Sequence, residues 1–399
     1  MKDIKSLVDL IGNTPIVQAK NIDAGKCNLF LKMENMNPGS SIKDRVALQI
    51  INDAEKNGDL VKGSTVVEAT AGNTGLGLAL IALLKGYKAK VVILDKMNQN
   101  KIFHLKSLGA EVMLAKSDVG PDSPDHYVNM AKRVAAETHN SFMANQFTNK
   151  SNPLAHELTT APEIFNQMDG DVDAIVCGVG TGGTISGIGK YFEKNNPKTE
   201  MVLADPEGSI VKDAVEKKPL KDADYKWLVE GIGEDFLPTT MDFTHLDEVI
   251  RVNDRECFQM TRRISREEGI FVGGSCGAAV AGALKYLKTV DRPGLRAVVL
   301  LPDSGSRYMS KIYNDKWMEE NGFVGPTIEL GTVAEIMPSL STPITIPQET
   351  SLGDAVQLMK QHAISQVPVT NGNTVLALVH KRTLLDHAPC RRDLEPLTC

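Results

Sequence analysis

Lys43 is the residue of this chain whose setting departs furthest from that of a surface lysine. It stands in Asn37-Pro38-Gly39-Ser40-Ser41-Ile42-Lys43-Asp44-Arg45. An apolar run of strand length, Cys27–Met33, precedes it, and Val46, Ile50, Ile51 and Ala54 follow at helical spacing. Pro38-Gly39 ends the strand and Ser40 or Ser41 can cap the next helix, so Lys43 falls at a helix start. The unpaired N–H groups of a helix start create a positive local field that disfavours an ammonium. The neutral amine so favoured is the nucleophile of Schiff-base chemistry. The competing reading of the same stretch is a solvated Lys-Asp-Arg face.

Glycine-bearing turns recur further along. Thr70-Ala71-Gly72-Asn73-Thr74-Gly75 follows a strand-like run ending at Glu68 and opens a helix over 75–85. Its N–H groups can hold a carboxylate or phosphate, although an ordinary turn capped by Asn73 or Thr74 fits equally. Gly178-Val179-Gly180-Thr181-Gly182-Gly183-Thr184 likewise follows the strand 174–177 and opens a helix, and it is the stronger anion cradle. Gly178–Gly183 also satisfies G-x-G-x-x-G, with Asp205 at a later strand end, so dinucleotide binding is a rival reading. That rival leaves Lys43 and the 70–75 turn without a task. Ser275, in Gly273-Gly274-Ser275-Cys276-Gly277, either caps the Ala-rich helix 278–287 or faces a ligand. His156 and His245 read as structural histidines. Asp303 and Asp235 have no evident partner for paired acid–base work.

The elements that position these residues alternate short β-rich runs (64–68, 89–94, 111–114, 174–177, 201–204, 297–301) with helical ones (75–85, 98–108, 184–195, 277–288). This is the rhythm of an α/β chain with a parallel sheet. The runs lack polar alternation, as strands covered on both faces do. Residues 206–245 are irregular and rich in Pro, Gly and acids, and are expected to shape or cover a cleft. The composition shifts near 321–326, and a small β-α-β-β-α unit follows. Its helix 351–361 places Leu352, Val356 and Met359 on one face, and its turn is Asn371-Gly372-Asn373. The expected boundaries are 1–325, 330–390 and an unpatterned, mobile tail 391–399.

The chain has 399 residues and a formal charge of −6, with no basic stripe, which argues against nucleic acid or an acidic membrane as partner. No run reaches membrane-spanning length and the N-terminus lacks a signal-peptide core, so a cytoplasmic protein is expected. Cysteines at 27, 177, 257, 276, 390 and 399 show no paired Cys-x-x-Cys spacing, so no metal site and no disulfide framework is indicated.

The lysine loop, the Ala-Gly-Asn-Thr-Gly turn, the Gly-Thr-Gly-Gly-Thr loop and the Gly-Gly-Ser-x-Gly helix start occur in one order. Together they resemble the fold-type-II pyridoxal phosphate enzymes. Asp205–Ser209, Glu230–Pro238 and Ser310–Met318 resemble the cystathionine β-synthases more than the related cysteine synthases. The likeness covers roughly 1–325, and the C-terminal unit resembles a single CBS-type motif.

The resemblance implies two open twisted-sheet subdomains with pyridoxal 5'-phosphate as cofactor and Lys43 as the catalytic, cofactor-bearing lysine. Asn73 would meet the cofactor's ring oxygen, Gly180, Thr181, Gly182, Gly183 and Thr184 its phosphate, and Ser275 its pyridine nitrogen. Ser41, Thr70, Gly72, Thr74, Gln146 and Gly231 would contact substrate. The implied reaction is β-replacement, joining serine or O-acetylserine to homocysteine to give cystathionine, with hydrogen sulfide released when cysteine is the donor. The alternative is a cysteine synthase. Phe147 and Ala71 stand where hydroxyl-bearing residues are common, which opens the donor to O-acetylserine. No N-terminal extension precedes the core, so no haem is expected. A homodimer is implied. One CBS-type motif before an unpatterned tail favours a packing or dimer contact over an adenosyl ligand.

Overall fold

The computed structural model describes residues 4–70, 72–95, 99–120, 122–219, 226–324, 343–362, 364–372, 374–381 and 383–384. Ala71 and the tail 391–399 lie outside the described residues. The chain divides into two compact units, 1–327 and 328–399.

Among the described residues of the first unit, ten strands form two sheets. They are β1 (Ile16–Gln18), β2 (Asn28–Lys32), β3 (Thr65–Ala69), β4 (Lys88–Leu94), β5 (Glu111–Ala115), β6 (Ser141–Met143), β7 (Ala174–Gly178), β8 (Glu200–Pro206), β9 (Glu248–Val252) and β10 (Arg296–Leu300). The smaller sheet runs β5-β4-β3-β6 and is parallel throughout. The larger runs β1-β2-β10-β7-β8-β9, parallel except for β1 against β2. Every residue of β3 is buried, which explains why this strand carries no polar alternation.

The elements missing from the sequence reading are short or carry polar residues. β1 and β6 have three residues each, too few for a period to show. Helix Asp254–Glu267 did have a legible start, since Asn253 accepts from the Glu256 N–H while the Glu256 side chain accepts from the Asn253 N–H. Between β8 and β9 the only helix among the described residues is Val211–Val215, so the excursion at 206–245 is irregular as expected.

The second unit holds β11 (Ile346–Pro347), β12 (Gln366–Asn371) and β13 (Thr374–His380), with β12 and β13 antiparallel. Helix Leu352–Gln361 starts at Ser351, whose hydroxyl accepts from the Asp354 N–H at 3.1 Å. Its buried face runs through Ala355 and Met359, which pack with Ile346, Val367 and Leu384. Met359 and the partly buried Val356 belong to this core as the sequence reading expects, while Leu352, the first helical residue, is 40% exposed. One helical turn separates Ala355 from Met359, and the small alanine lets the helix approach the sheet.

A buried ion network fixes the Lys43 loop. Arg45 binds the Glu34 carboxylate with Nε and Nη2, both at 2.8 Å, and Glu163 with Nη1 and Nη2, both at 2.7 Å. Lys32 reaches Glu163 at 2.9 Å, and the Thr14 hydroxyl donates to Glu34 at 2.6 Å. Burial alone would raise Glu34, yet Arg45 and Lys32 hold it below the ordinary carboxylate value. Removing one partner of such a network leaves a charge uncompensated. Arg45→Met is therefore expected to cost about 3–5 kcal/mol in urea denaturation, and adding Glu34→Gln is expected to recover part of the loss. A loss no larger than that of an exposed ion pair contradicts this role for Arg45.

Candidate active site

Residues just past the C-terminal ends of β3, β6, β7 and β10 line a cavity of about 550 Å3, so both sheets contribute walls. This is where open α/β sheets place ligand sites.

Lys43, the first residue of helix Lys43–Asn57, lines this cavity. Burial pushes its ammonium down to about 8, against the pull of Glu234 and Cys177. Its neighbours Asp44 and Arg45 are buried, so the solvated-face reading fails. Asp44 accepts from the Gly39 N–H at 2.5 Å and draws the loop tight. The Ser41 hydroxyl accepts from the Lys43 N–H at 3.3 Å, and Ser41 does not line the cavity.

Thr70, Gly72, Asn73, Thr74 and Gln146 share one wall. Neither Asn73 nor Thr74 caps helix Asn73–Lys85, whose N-cap is Gly72. The Thr74 hydroxyl donates to Gln146 Oε1 at 2.5 Å. Asn73 Nδ2 donates to Asp303 at 2.9 Å, and its Oδ1 accepts from Arg307 at 2.7 Å. Asp303 also accepts from the Tyr308 hydroxyl at 2.7 Å.

Opposite lie Gly180, Thr181, Gly182 and Thr184, at the start of helix Gly183–Asn195. Gly182 is in the left-handed region at φ +79°, and a Cβ there would lie 2.5 Å from Met241 Cβ. A Cβ on Gly180 would lie 2.7 Å from the Gly231 carbonyl oxygen. Only glycine fits both places. Gly183 lies outside the lining, and its N–H donates to the Thr181 hydroxyl at 3.4 Å. Asn152 donates to Thr181 at 2.9 Å, while His156 meets Thr160 at 2.9 Å and Thr184 at 3.2 Å. Burial drives His156 well below its ordinary value, so it is a neutral structural histidine. Ser275 is buried and lines the cavity from the first turn of helix Gly274–Val290, whose N-cap is Gly273.

Asp205 is not part of this site. It is fully buried, with Oδ2 bound by Arg251 at 2.6 Å across the β8–β9 pairing, and it does not line the cavity, so it cannot meet a ribose hydroxyl there. The dinucleotide reading fails on that burial.

Sequence reasoning missed a charged cluster assembled from positions far apart in the chain. Glu230 is ion-paired with Lys101 and, at 2.8 Å, with Lys311, and all three line the cavity. Burial alone would raise Glu230, but the two lysines hold it below the ordinary carboxylate value. Glu234 lines the cavity as well, pushed up to about 8 by burial and the charge of Asp235, against Lys43. Gly231 stands between these acids on the same segment. Among the described residues, no group of three His, Cys, Asp or Glu could hold a metal ion, and no helix is long and apolar enough to cross a membrane.

Residues 7–303 match the pyridoxal-phosphate dependent enzyme family, and residues 333–389 match the CBS domain. A cystathionine beta-synthase from Dictyostelium discoideum is 39% identical over 97% of this chain and 79% of its own length. One from Mus musculus is 39% identical over 95% and 68% of the respective chains, and one from Saccharomyces cerevisiae 34% over 91% and 77%. A solved hydrogen sulfide-producing enzyme from Fusobacterium nucleatum superposes with TM-score 0.71 at 37% identity, covering 76% of this chain and 99% of that one. A solved O-ureido-L-serine synthase superposes with TM-score 0.72 at 31% identity, covering 79% and 99%. The chain therefore belongs to the pyridoxal-phosphate-dependent enzyme family that includes the cystathionine beta-synthases, and it carries one CBS domain.

Proposed function

We propose that the chain is a β-replacement enzyme that joins serine or O-acetylserine to homocysteine, giving cystathionine. The donor set suits pyridoxal phosphate. The cavity offers an amine eased toward neutrality by burial, glycine N–H groups at the start of a thirteen-residue helix, and the neutral side chains of Asn73 and Ser275. In this reading Lys43 carries the cofactor, and Gly180, Thr181, Gly182, Gly183 and Thr184 hold its phosphate. Asn73 meets the ring oxygen with the second N–H of its amide, the first being given to Asp303. Ser275 faces the pyridine nitrogen.

When bound, the cofactor supplies an electron sink for charge developing at the substrate Cα. The chain's own groups do the rest. Thr70, Gly72, Thr74 and Gln146 hold the donor's carboxylate, with Gly231 across the cavity, and the Lys43 amine takes and returns the Cα proton. The enclosing walls keep water from competing with the thiol at Cβ. No step calls on haem. Catalysis is assigned to 1–325, and a regulatory or dimer-forming role to 330–390. A cytoplasmic homodimer acting on small amino acids, away from nucleic acid and membranes, is part of the same proposal.

The observation that carries the choice of acceptor is the Lys101–Glu230–Lys311 cluster on the cavity wall. It offers charges of both signs, and homocysteine brings both a carboxylate and an ammonium. Sulfide, the acceptor of a cysteine synthase, brings neither and leaves the cluster without a task. Cysteine in the donor's place would release hydrogen sulfide, the product that names the Fusobacterium relative.

Serine or O-acetylserine, each with homocysteine, is expected to yield cystathionine by mass spectrometry, and addition of donor is expected to shift the bound cofactor's absorbance band. Product with sulfide alone and none with homocysteine establishes the cysteine synthase instead. Loss of one charged hydrogen bond predicts that Lys311→Ala raises the KM for homocysteine about tenfold to a hundredfold. The KM for the donor is expected to stay near its original value, and an equal rise for both substrates contradicts the assignment of this cluster.

A further inference from the structure

We propose that the Glu234 carboxyl is the general acid that protonates the departing oxygen of a serine donor, an inference that rests on the β-replacement reading. Of the ionisable side chains that line the cavity, the others already have partners or tasks. Lys43 is the reactive amine, Lys101, Glu230 and Lys311 neutralise one another, and Tyr308 donates to Asp303. Glu234 is half-buried, and its carboxyl has no hydrogen-bond or ion-pair partner among the described residues.

Its backbone is nonetheless pinned. The Glu234 N–H donates to the Ser209 hydroxyl at 3.2 Å, its carbonyl accepts from the Ile210 N–H at 3.0 Å, and the preceding Gly233 N–H donates to the Val179 carbonyl at 2.7 Å. The free carboxyl lies against the glycine loop, since a Cβ on Gly180 would come within 3.5 Å of Glu234 Oε1. A fixed backbone with an uncommitted acid facing a cavity is the arrangement that proton donation requires. Phe147, also in the cavity lining, packs edge-on to Phe236 at 5.1 Å between ring centres and has no proton to give.

The charged and titratable groups acting on Glu234 are Lys43, Asp235 and Tyr127. Burial and Asp235 raise its carboxyl to about 8, so at neutral pH the proton is in place. As the Cβ–O bond of serine breaks, its electron pair passes to oxygen, which takes the Glu234 proton and leaves as water. The homocysteine thiol returns that proton to the carboxylate as sulfur bonds to Cβ. O-acetylserine expels acetate, a weak base that needs no proton.

The test compares the wild type with Glu234→Gln, which keeps the shape and loses the acid. In a two-stage replacement, kcat/KM for the donor reports only the steps through loss of the leaving group. General acid catalysis predicts that the ratio of kcat/KM for serine to that for O-acetylserine falls about a hundredfold or more in Glu234→Gln. An unchanged ratio overturns the proposal. As a readout independent of turnover, a protonated-carboxyl stretch in the infrared spectrum at neutral pH is expected in the wild type and absent from Glu234→Gln; identical spectra count against it. An unaltered cofactor absorbance band in the variant shows that the site has folded. A wild type that turns over neither donor overturns the β-replacement reading itself, a different result from an unchanged ratio.

Discussion

The Arg45 guanidinium, held between the carboxylates of Glu34 and Glu163, sets where Lys43 can be. Glu34 follows β2, Arg45 is in the first turn of helix Lys43–Asn57, and Glu163 belongs to helix Ala161–Gln167, so one cation joins three segments remote in sequence. Buried ion pairs add little net stability once desolvation is counted, but each member must stay paired and few arrangements satisfy all of them. Such a network gives geometry more than free energy. A second fastening comes from Arg307, which donates to the Gly39 carbonyl at 2.5 Å and to Asn73, tying the lysine loop to the start of the next helix.

The low-dielectric cavity acts on both signs of charge. Burial disfavours the ammonium of Lys43 and the carboxylate of Glu234 alike, bringing both to about 8 from opposite directions. Each attracts the other's charged form, which limits the shifts. Glu230, by contrast, stays ionised under comparable burial because Lys101 and Lys311 flank it. The cavity thus holds two acids in different states, one suited to exchanging protons and one to binding a charged substrate.

Much of this was legible in the sequence, and the reason is local. The buried strands β3, β7 and β10 are continuous apolar runs, and the glycine turns after β3 and β7 are punctuation that needs no tertiary context. Lys43 could be singled out because Pro38-Gly39 and the helical spacing after it are contiguous. What could not be read depends on distant pairing. Asp205 satisfied the spacing of a dinucleotide motif, yet the β8–β9 register sets it opposite Arg251 and buries it away from the cavity. Lys101, Glu230 and Lys311 have unremarkable neighbours in sequence and meet only when both sheets are folded. Leu352 fits the apolar stripe of its helix, yet as the first helical residue it stays 40% exposed while Val356 and Met359 of the same stripe pack into the core.

Among the described residues three lysines line the cavity, Lys43, Lys101 and Lys311, and only one of them can be the carrier of the cofactor. Borohydride reduction of the protein loaded with pyridoxal phosphate, followed by digestion and mass spectrometry, identifies the amine directly. The phosphopyridoxyl mass is predicted on the peptide containing Lys43 and on no other. Its appearance on Lys101 or Lys311, or on no lysine at all, would contradict the role given to the Asn37–Arg45 loop.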